Sequence, residues 1–198
     1  YRYMLTQVAF NRGMLNIALP YGGVLAFSMV SPFLIERVYG YGPKVTGYAA
    51  LLMGLAWMAG GFIARLQLGR SLLHKHRRAL TLMLPTSAIM LLVSSQYANI
   101  YTLLVFAFVV HASCAMMFNI YFSECLGMFP QFAGLSGGLV GGIAFMLTAL
   151  SRYAPVAALQ VDSQWLLAMV YLLFALSLLG TFIWGKTQPG SLPSEASN

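Results

Sequence analysis

His111 is the residue of this chain best suited to proton chemistry, because it lies inside a long apolar stretch where an ionisable side chain is unfavourable. An imidazole there could exchange a proton near neutral pH, or could stay neutral and bond to a neighbouring helix. Cys114, Met116 and Met117 follow closely, and soft ligands of this kind suit Cu(I). His111 and Cys114 would share a helix face, but a closed site needs ligands from other helices. We expect no resident metal and no cofactor. The alternative is a soft-metal site in which His111 and Cys114 supply two of the ligands.

Other polar and aromatic residues interrupt the apolar stretches at helical spacing. Tyr21 and Ser28 fall on one stripe with Asn16 a turn below, and Trp57 with Met53 could add an aromatic and thioether wall. Their side chains either face a water-filled path or bond to backbone and neighbouring helices. The candidate path residues for a small-molecule substrate are Asn16, Tyr21, Ser28, Met53, Trp57, His111 and Asn119.

These side chains must be positioned by membrane-spanning helices. Apolar residues make up 60% of the chain and charged residues 8%, against about 25% in a soluble domain. A helix needs about 20 apolar residues to cross a bilayer. The polar run from Ser94 to Asn99 predicts a tight turn that divides the longest charge-free window into two helices. We predict an all-α membrane protein with six spans at about 13–34, 45–64, 79–95, 99–122, 131–151 and 164–184.

The spans form one predicted unit, a transmembrane bundle over residues 13–184. Residues 1–12 form a segment before it, and the Pro- and Ser-containing tail 185–198 is predicted to be disordered. Six crossings place both termini on one side of the membrane. Because Lys and Arg are retained in cytoplasmic loops, that side is predicted to be the cytoplasm. The cytoplasmic set is Arg2, Arg12, Arg65, Arg70, Lys75, Arg77, Arg78 and Lys186, against Arg37, Lys44 and Arg152 outside.

The net charge of +7 therefore indicates membrane topology. The basic loop between the second and third spans, residues 65–78, is short and bounded by apolar segments. Such a loop serves as an orientation signal or contacts lipid headgroups, and we expect no nucleic-acid partner.

Small residues mark two helix faces. In the fifth span Gly134, Gly138 and Gly142 repeat at four-residue spacing with Gly137 and Gly141 beside them, and in the second span Ala50, Gly54 and Gly61 form a similar face. The two spans hold equivalent places in consecutive triplets, as inverted repeats require. The faces either pack statically or slide during a conformational change.

No enzyme motif is present, and we expect no enzymatic activity. The chain has no His-Glu-x-x-His, no Cys-x-x-Cys and no phosphate-cradling glycine loop that ends in Lys. No Asp or Glu lies within a predicted span, although such a carboxylate is a common titrating group in proton-driven transport.

Three segments resemble a known family. They are Ser31-Pro32-Phe33 followed by Tyr39-Gly40-Tyr41-Gly42-Pro43 and Gly47; Ala64-Arg65-Leu66 running into Gly69-Arg70; and Pro130-Gln131-Phe132-Ala133-Gly134 with Gly137, Leu139 and Gly141. The chain resembles the C-terminal half of a major facilitator superfamily transporter, and is most similar to bicyclomycin-resistance-type drug:proton antiporters. It departs from the family pattern in two places: the Arg65 to Arg70 loop has no acidic residue, and Phe132 replaces a usual basic residue.

The resemblance implies half of a twelve-helix fold in a bacterial inner membrane, with the chain beginning inside a longer polypeptide. The N-terminal six-helix half, in the same polypeptide or a partner chain, would supply the coupling carboxylate. The implied activity is proton-coupled multidrug efflux of small amphipathic molecules by alternating access. A copper or other soft-metal transporter of the same superfamily and a non-transporting membrane scaffold subunit are the alternatives.

Overall fold

A computed structural model of the chain describes residues 2–159 and 162–187, and this described part contains helices and no strands. Of the predicted tail 185–198, residues 188–198 lie outside the described part. A π-helical turn, Leu34–Val38, extends α2, and a short 3-10 turn, Pro130–Phe132, precedes α6. The helices are α1 Arg2–Leu5, α2 Val8–Phe33, α3 Pro43–Arg65, α4 Leu72–Ser94, α5 Ile100–Gly127, α6 Ala133–Leu159 and α7 Gln164–Thr187.

In the described part of the chain, five segments are long and apolar enough to cross a membrane: Val8–Val38, Pro43–Arg65, Ile100–Gly127, Pro130–Leu150 and Gln164–Lys186. The prediction of six membrane-spanning helices is thus supported for five. The sixth predicted span lies in α4, which is equally long but carries Lys75, Arg77 and Arg78 in its first turns. The uncharged stretch of α4 that follows these residues, 79–94, is shorter than the about 20 residues that a membrane span needs.

Local chemistry fixes where the helices begin. The predicted turn between α4 and α5 ends in a capping box: the Asn99 side chain accepts hydrogen bonds from the amides of Tyr101 and Thr102, and Thr102 Oγ1 accepts one from the Asn99 amide. Between α2 and α3, Gly40 has a φ of +73°, which glycine adopts without strain. Pro43 then opens α3, where its missing N–H costs nothing.

Hydrogen bonds join the helices at both ends of the bundle. At one end the Tyr39 hydroxyl donates to Gln164 Oε1 at 2.6 Å, and Gln164 Nε2 donates to Thr102 Oγ1 at 3.0 Å. Burial of this network raises the pKa of Tyr39 to about 12. The basic residues of α4 and Lys186 of α7 lie at the other end, where α3 and α5 terminate. We call this other end the basic end.

The helices pack as a pseudo-symmetric set. Helix α5 packs against α2, α3 and α4, while α2 packs against α5, α6 and α7, and α4 packs against α7. Exchanging α2 with α5, α3 with α6 and α4 with α7 reproduces the same set of neighbours. The equivalent helices α3 and α6 are the least covered: 28% and 22% of the residues in their apolar cores are buried, against 56% in α2 and α5.

Candidate functional site

A cavity of about 390 Å³ lies between α2, α3 and α5. It brings together five of the seven path residues predicted from the sequence: Tyr21, Ser28, Met53, Trp57 and His111. The rest of its wall is formed by Val24, Phe27, Ser31, Pro32, Thr46, Ala50 and Gly54. The volume falls in the range that encloses a small organic ligand.

His111, in the wall of this cavity, has one ring nitrogen without a hydrogen-bond partner among the described residues. Its Nδ1 lies 2.8 Å from the Ala107 carbonyl oxygen, which can only accept, so in the neutral ring Nδ1 carries the proton. Nε2 is then a lone-pair acceptor, and it is buried with no hydrogen-bond partner among the described residues. The Phe27 ring meets the imidazole edge to face at 5.1 Å and holds its orientation. A buried acceptor without a partner is costly, and a donor on a bound molecule would satisfy it.

Two hydroxyls of the wall also offer acceptors. The Ser28 hydroxyl donates to the Val24 carbonyl at 3.1 Å, and the Thr46 hydroxyl donates to Glu36 Oε1 at 2.8 Å. Each has used its only proton in these bonds, so its oxygen can act only as an acceptor while they last. With His111, these residues give the cavity wall several hydrogen-bond acceptors.

An aromatic cluster closes the cavity toward the basic end. Tyr21, Trp57, Phe118 and Phe145 come from four different helices, with Tyr21 at its centre. The ring centroids of Tyr21 and Trp57 are 5.7 Å apart, and those of Trp57 and Phe118 are 5.4 Å apart. These spacings are typical of favourable aromatic pairs.

A second hollow of about 500 Å³ lies beyond this cluster, at the basic end between α3, α4 and α5. Asn119 lines it, with Arg65, Lys75 and Glu124 around it. The Asn119 side chain donates to the Ala115 carbonyl at 2.8 Å. Asn119 is therefore separated from the His111 cavity by the rings of Trp57 and Phe118.

Asn16 lies outside both hollows. It is fully buried, and its amide donates to the Arg12 carbonyl at 2.8 Å while its oxygen accepts from Thr181 Oγ1 at 2.7 Å. These bonds join α2 to α7, which makes Asn16 a packing residue in this structure. The prediction that it shares a path with Tyr21 is not reproduced, because its neighbours on α7 cover it.

The glycine face of α6 is uncovered by the other described residues. A methyl group built on Gly134, Gly138, Gly141 or Gly142 would meet nothing within 4 Å, and only Gly137 approaches a neighbour, Leu126. Gly134, Gly138 and Gly142 line an open groove of about 690 Å³. Static packing inside the described bundle therefore does not account for this face.

On α3 the close approach occurs at Gly60, a residue that sequence reasoning missed. A methyl group there would overlap the Ala112 carbonyl and lie 2.7 Å from Ala115 Cβ. By contrast, Gly54 has open space and Gly61 has only the Asn119 side chain at 3.6 Å. Of the loop residues singled out earlier, Arg65 lines the second hollow, whereas Gly69 and Arg70 are exposed.

No cluster of three or more His, Cys, Asp or Glu side chains that could hold a metal occurs among the described residues. Cys114 is buried, and both Cys114 and Cys125 are free thiols. His111 and Cys114 thus have no third ligand of these types from another described helix.

A second buried histidine, His76, was also missed by sequence reasoning. Its Nε2 donates to the Leu178 carbonyl at 3.2 Å, so its Nδ1 accepts the Tyr121 hydroxyl at 2.5 Å. Burial, aided by the nearby Arg12 cation, lowers the pKa of His76 to about 4. One signal was available, because His76 shares a helix face with the buried Ala79, Leu80 and Met83.

No family model, curated protein or solved structure matches this chain. The class of protein is therefore inferred from the fold: five long apolar helices among the described residues are those of a multi-pass helical membrane protein.

Proposed function

We propose that this bundle is one six-helix half of a twelve-helix secondary transporter of the major facilitator type. It exports small amphipathic molecules in exchange for protons by alternating access. The observation that carries the proposal is the ligand-sized cavity lined by His111, whose buried Nε2 has no partner among the described residues, because such an acceptor favours a cargo with a hydrogen-bond donor. The cargo class is a mostly apolar molecule with at least one hydrogen-bond donor.

The packing pattern supports two inverted repeats. Helices α2 to α4 and α5 to α7 have corresponding neighbours, which is the arrangement of three-helix repeats in this kind of transporter. In this proposal α4 is the sixth span, since its buried face packs along α5 and α7 through Met83 and Met90. Its basic first turns then lie in the cytoplasmic headgroup region, with both termini on that side.

The second half docks on α3 and α6. These helices are the least covered, they are exchanged by the pseudo-symmetry, and α6 carries the open glycine groove. The second half, in the same polypeptide or a partner chain, supplies the proton-coupling carboxylate. The acidic residues of the described part, Glu36, Glu124 and Asp162, all lie near helix ends. We therefore expect proton coupling at the interface between this bundle and the second half.

Flux measurements test the proposal. The protein, with the second half in place, is reconstituted into proteoliposomes, and transport of ethidium as an aromatic probe with N–H donors is followed with and without a pH gradient. We expect gradient-driven flux that falls at least tenfold in His111→Phe, which keeps a ring but removes the acceptor. His74→Phe, the same substitution outside the cavity, should transport normally. Equal flux in both variants would contradict the role of the cavity.

The open glycine face of α6 also fits a membrane scaffold that binds partner helices without transporting anything. The same experiment separates the two functions. If the reconstituted protein assembles with its partner but moves no probe under any gradient, the scaffold function is favoured.

A further inference from the structure

We infer that a third hollow, at the basic end between α4 and α7, binds the phosphate group of an anionic phospholipid. The hollow measures about 220 Å³ and is lined by Ser71, Leu73, His74, Arg77, Phe182 and Lys186. This site is separate from the cavity around His111, and the inference does not depend on transport.

The charge of this hollow is cationic and not neutralised by its own wall. Arg77 comes from α4 and Lys186 from α7, so two cations converge from different helices, and none of the described residues that line the hollow is acidic. Glu124, which also lies at the basic end, lines the other hollow with Arg65 and Lys75. A guanidinium and an ammonium around one small space match the oxygens of a phosphate group.

The beginning of α4 adds hydrogen-bond donors. The Ser71 hydroxyl accepts from the His74 amide at 3.4 Å, and the Ser71 carbonyl accepts from the Lys75 amide at 3.1 Å. The amides of Leu72 and Leu73, in the first helical turn, have no intrahelical acceptor. They stand at the positive end of the helix dipole, beside the cations already present.

The surroundings favour a lipid over a free anion. Lys186 Nζ lies over the Phe182 ring, 4.8 Å from its centroid, which fixes the ammonium at the rim of the hollow. Trp184 is 39% exposed nearby, and tryptophan is enriched at membrane interfaces. Exposed Leu73 and Ile183 continue as an apolar surface from the hollow along the two helices. A phosphate with acyl chains can use both the charge and this surface.

Native mass spectrometry of the purified full-length protein in mild detergent tests the site. Titration with phosphatidylglycerol and with phosphatidylcholine should show one phosphatidylglycerol bound at least tenfold more tightly. Arg77→Gln and Lys186→Gln should each weaken that binding about fivefold, the effect of one cation near a headgroup. Arg78→Gln, the same change at the next residue and outside the hollow, should weaken it less than twofold. Because these side chains are exposed, the variants should keep the wild-type melting temperature.

Three results would overturn the inference. An equal loss in Arg78→Gln would indicate diffuse attraction by the whole basic end. Equal affinity for the two lipids would remove the requirement for an anion. Displacement of phosphatidylglycerol by millimolar inorganic phosphate would assign the hollow to a free anion, whereas retention of the lipid under these conditions supports the headgroup site.

Discussion

His76 accepts a hydrogen bond from the Tyr121 hydroxyl and donates one to the Leu178 carbonyl, whereas His111 has a buried nitrogen with no partner. The two histidines therefore have different physical roles. His76 is a satisfied neutral imidazole that joins α4 to α5 and α7. Among the described residues His111 bonds only to a carbonyl of its own helix, and it lines the cavity, where a ligand can supply the missing partner.

The lowered pKa of His76 predicts acid sensitivity. Its pKa falls from an ordinary 6.5 to about 4 on folding, so between these values the unfolded state binds more protons and stability decreases as the pH falls. One such group costs about 1 kcal/mol per pH unit over this window. We expect the melting temperature in detergent to drop between pH 6.5 and pH 4, and His76→Gln to flatten that slope.

His74→Gln is the control for this prediction, since His74 lies outside the buried network, and it should leave the slope unchanged. The charged and titratable groups around His76 are Arg12 and Tyr121. Parallel melting curves for wild type and His76→Gln across the window would contradict the assignment of a neutral buried imidazole.

The sequence was sufficient to predict five long apolar helices and five of the twelve residues that line the cavity. Polar and aromatic residues within apolar stretches located Tyr21, Trp57 and His111, because each position is unfavourable unless something meets the side chain. The same logic selected Asn16, whose partner Thr181 is distant in sequence, so no local pattern distinguishes it from a cavity residue. His76 was missed because it lies within the basic segment 65–78, which was interpreted as a loop between two spans.

Helix rotation explains why Gly60 on α3 was not predicted. Gly60 and Gly61 are adjacent in sequence but point about 100° apart on a helix, and spacing alone could not identify the one that faces α5. Which of the two glycines faces α5 depends on where α5 packs against α3, and this is determined by the tertiary structure. The same limit applies to α6, whose glycine face was recognised from its spacing while its lack of a covering helix appears only in the fold.

Gly60→Ala should destabilise the bundle. The added methyl group would overlap the Ala112 carbonyl, and because backbone cannot rotate away, α3 and α5 must separate at a cost of about 1–3 kcal/mol. Gly54→Ala on the same helix meets nothing within 4 Å and should change the stability by less than about 1 kcal/mol. Thermal unfolding in detergent measures both, and equal melting temperatures would show that the close approach is absent.

Phe118→Ala should join the two hollows on either side of the aromatic cluster. Phe118 packs against Tyr21 and Trp57, so its removal opens the separation between the His111 cavity and the Asn119 hollow. In proteoliposomes that contain the protein, we expect several-fold faster passive leak of ethidium without a pH gradient. Phe122→Ala removes a ring that stacks on Phe118 at 5.6 Å but has no ring contact with Tyr21 or Trp57 among the described pairs. A leak of the same size in Phe122→Ala would show that the cluster is not the barrier.

Gly138→Leu tests whether the groove on α6 is a surface for the second half. Nothing in the described bundle lies within 4 Å of a Cβ built on this glycine, so leucine should be accepted and the free energy of unfolding should change by less than about 0.5 kcal/mol. Docking of another helix against the groove would be blocked, because glycine faces allow close helix approach only while they lack side chains. We therefore expect co-purification of the second half and probe flux to fall together by at least tenfold.

Gly180→Leu makes the same change on α7, also in open space, and should affect neither. Loss of flux in Gly138→Leu with assembly retained would assign the groove to movement between the halves, and unchanged assembly and flux would show that it faces lipid.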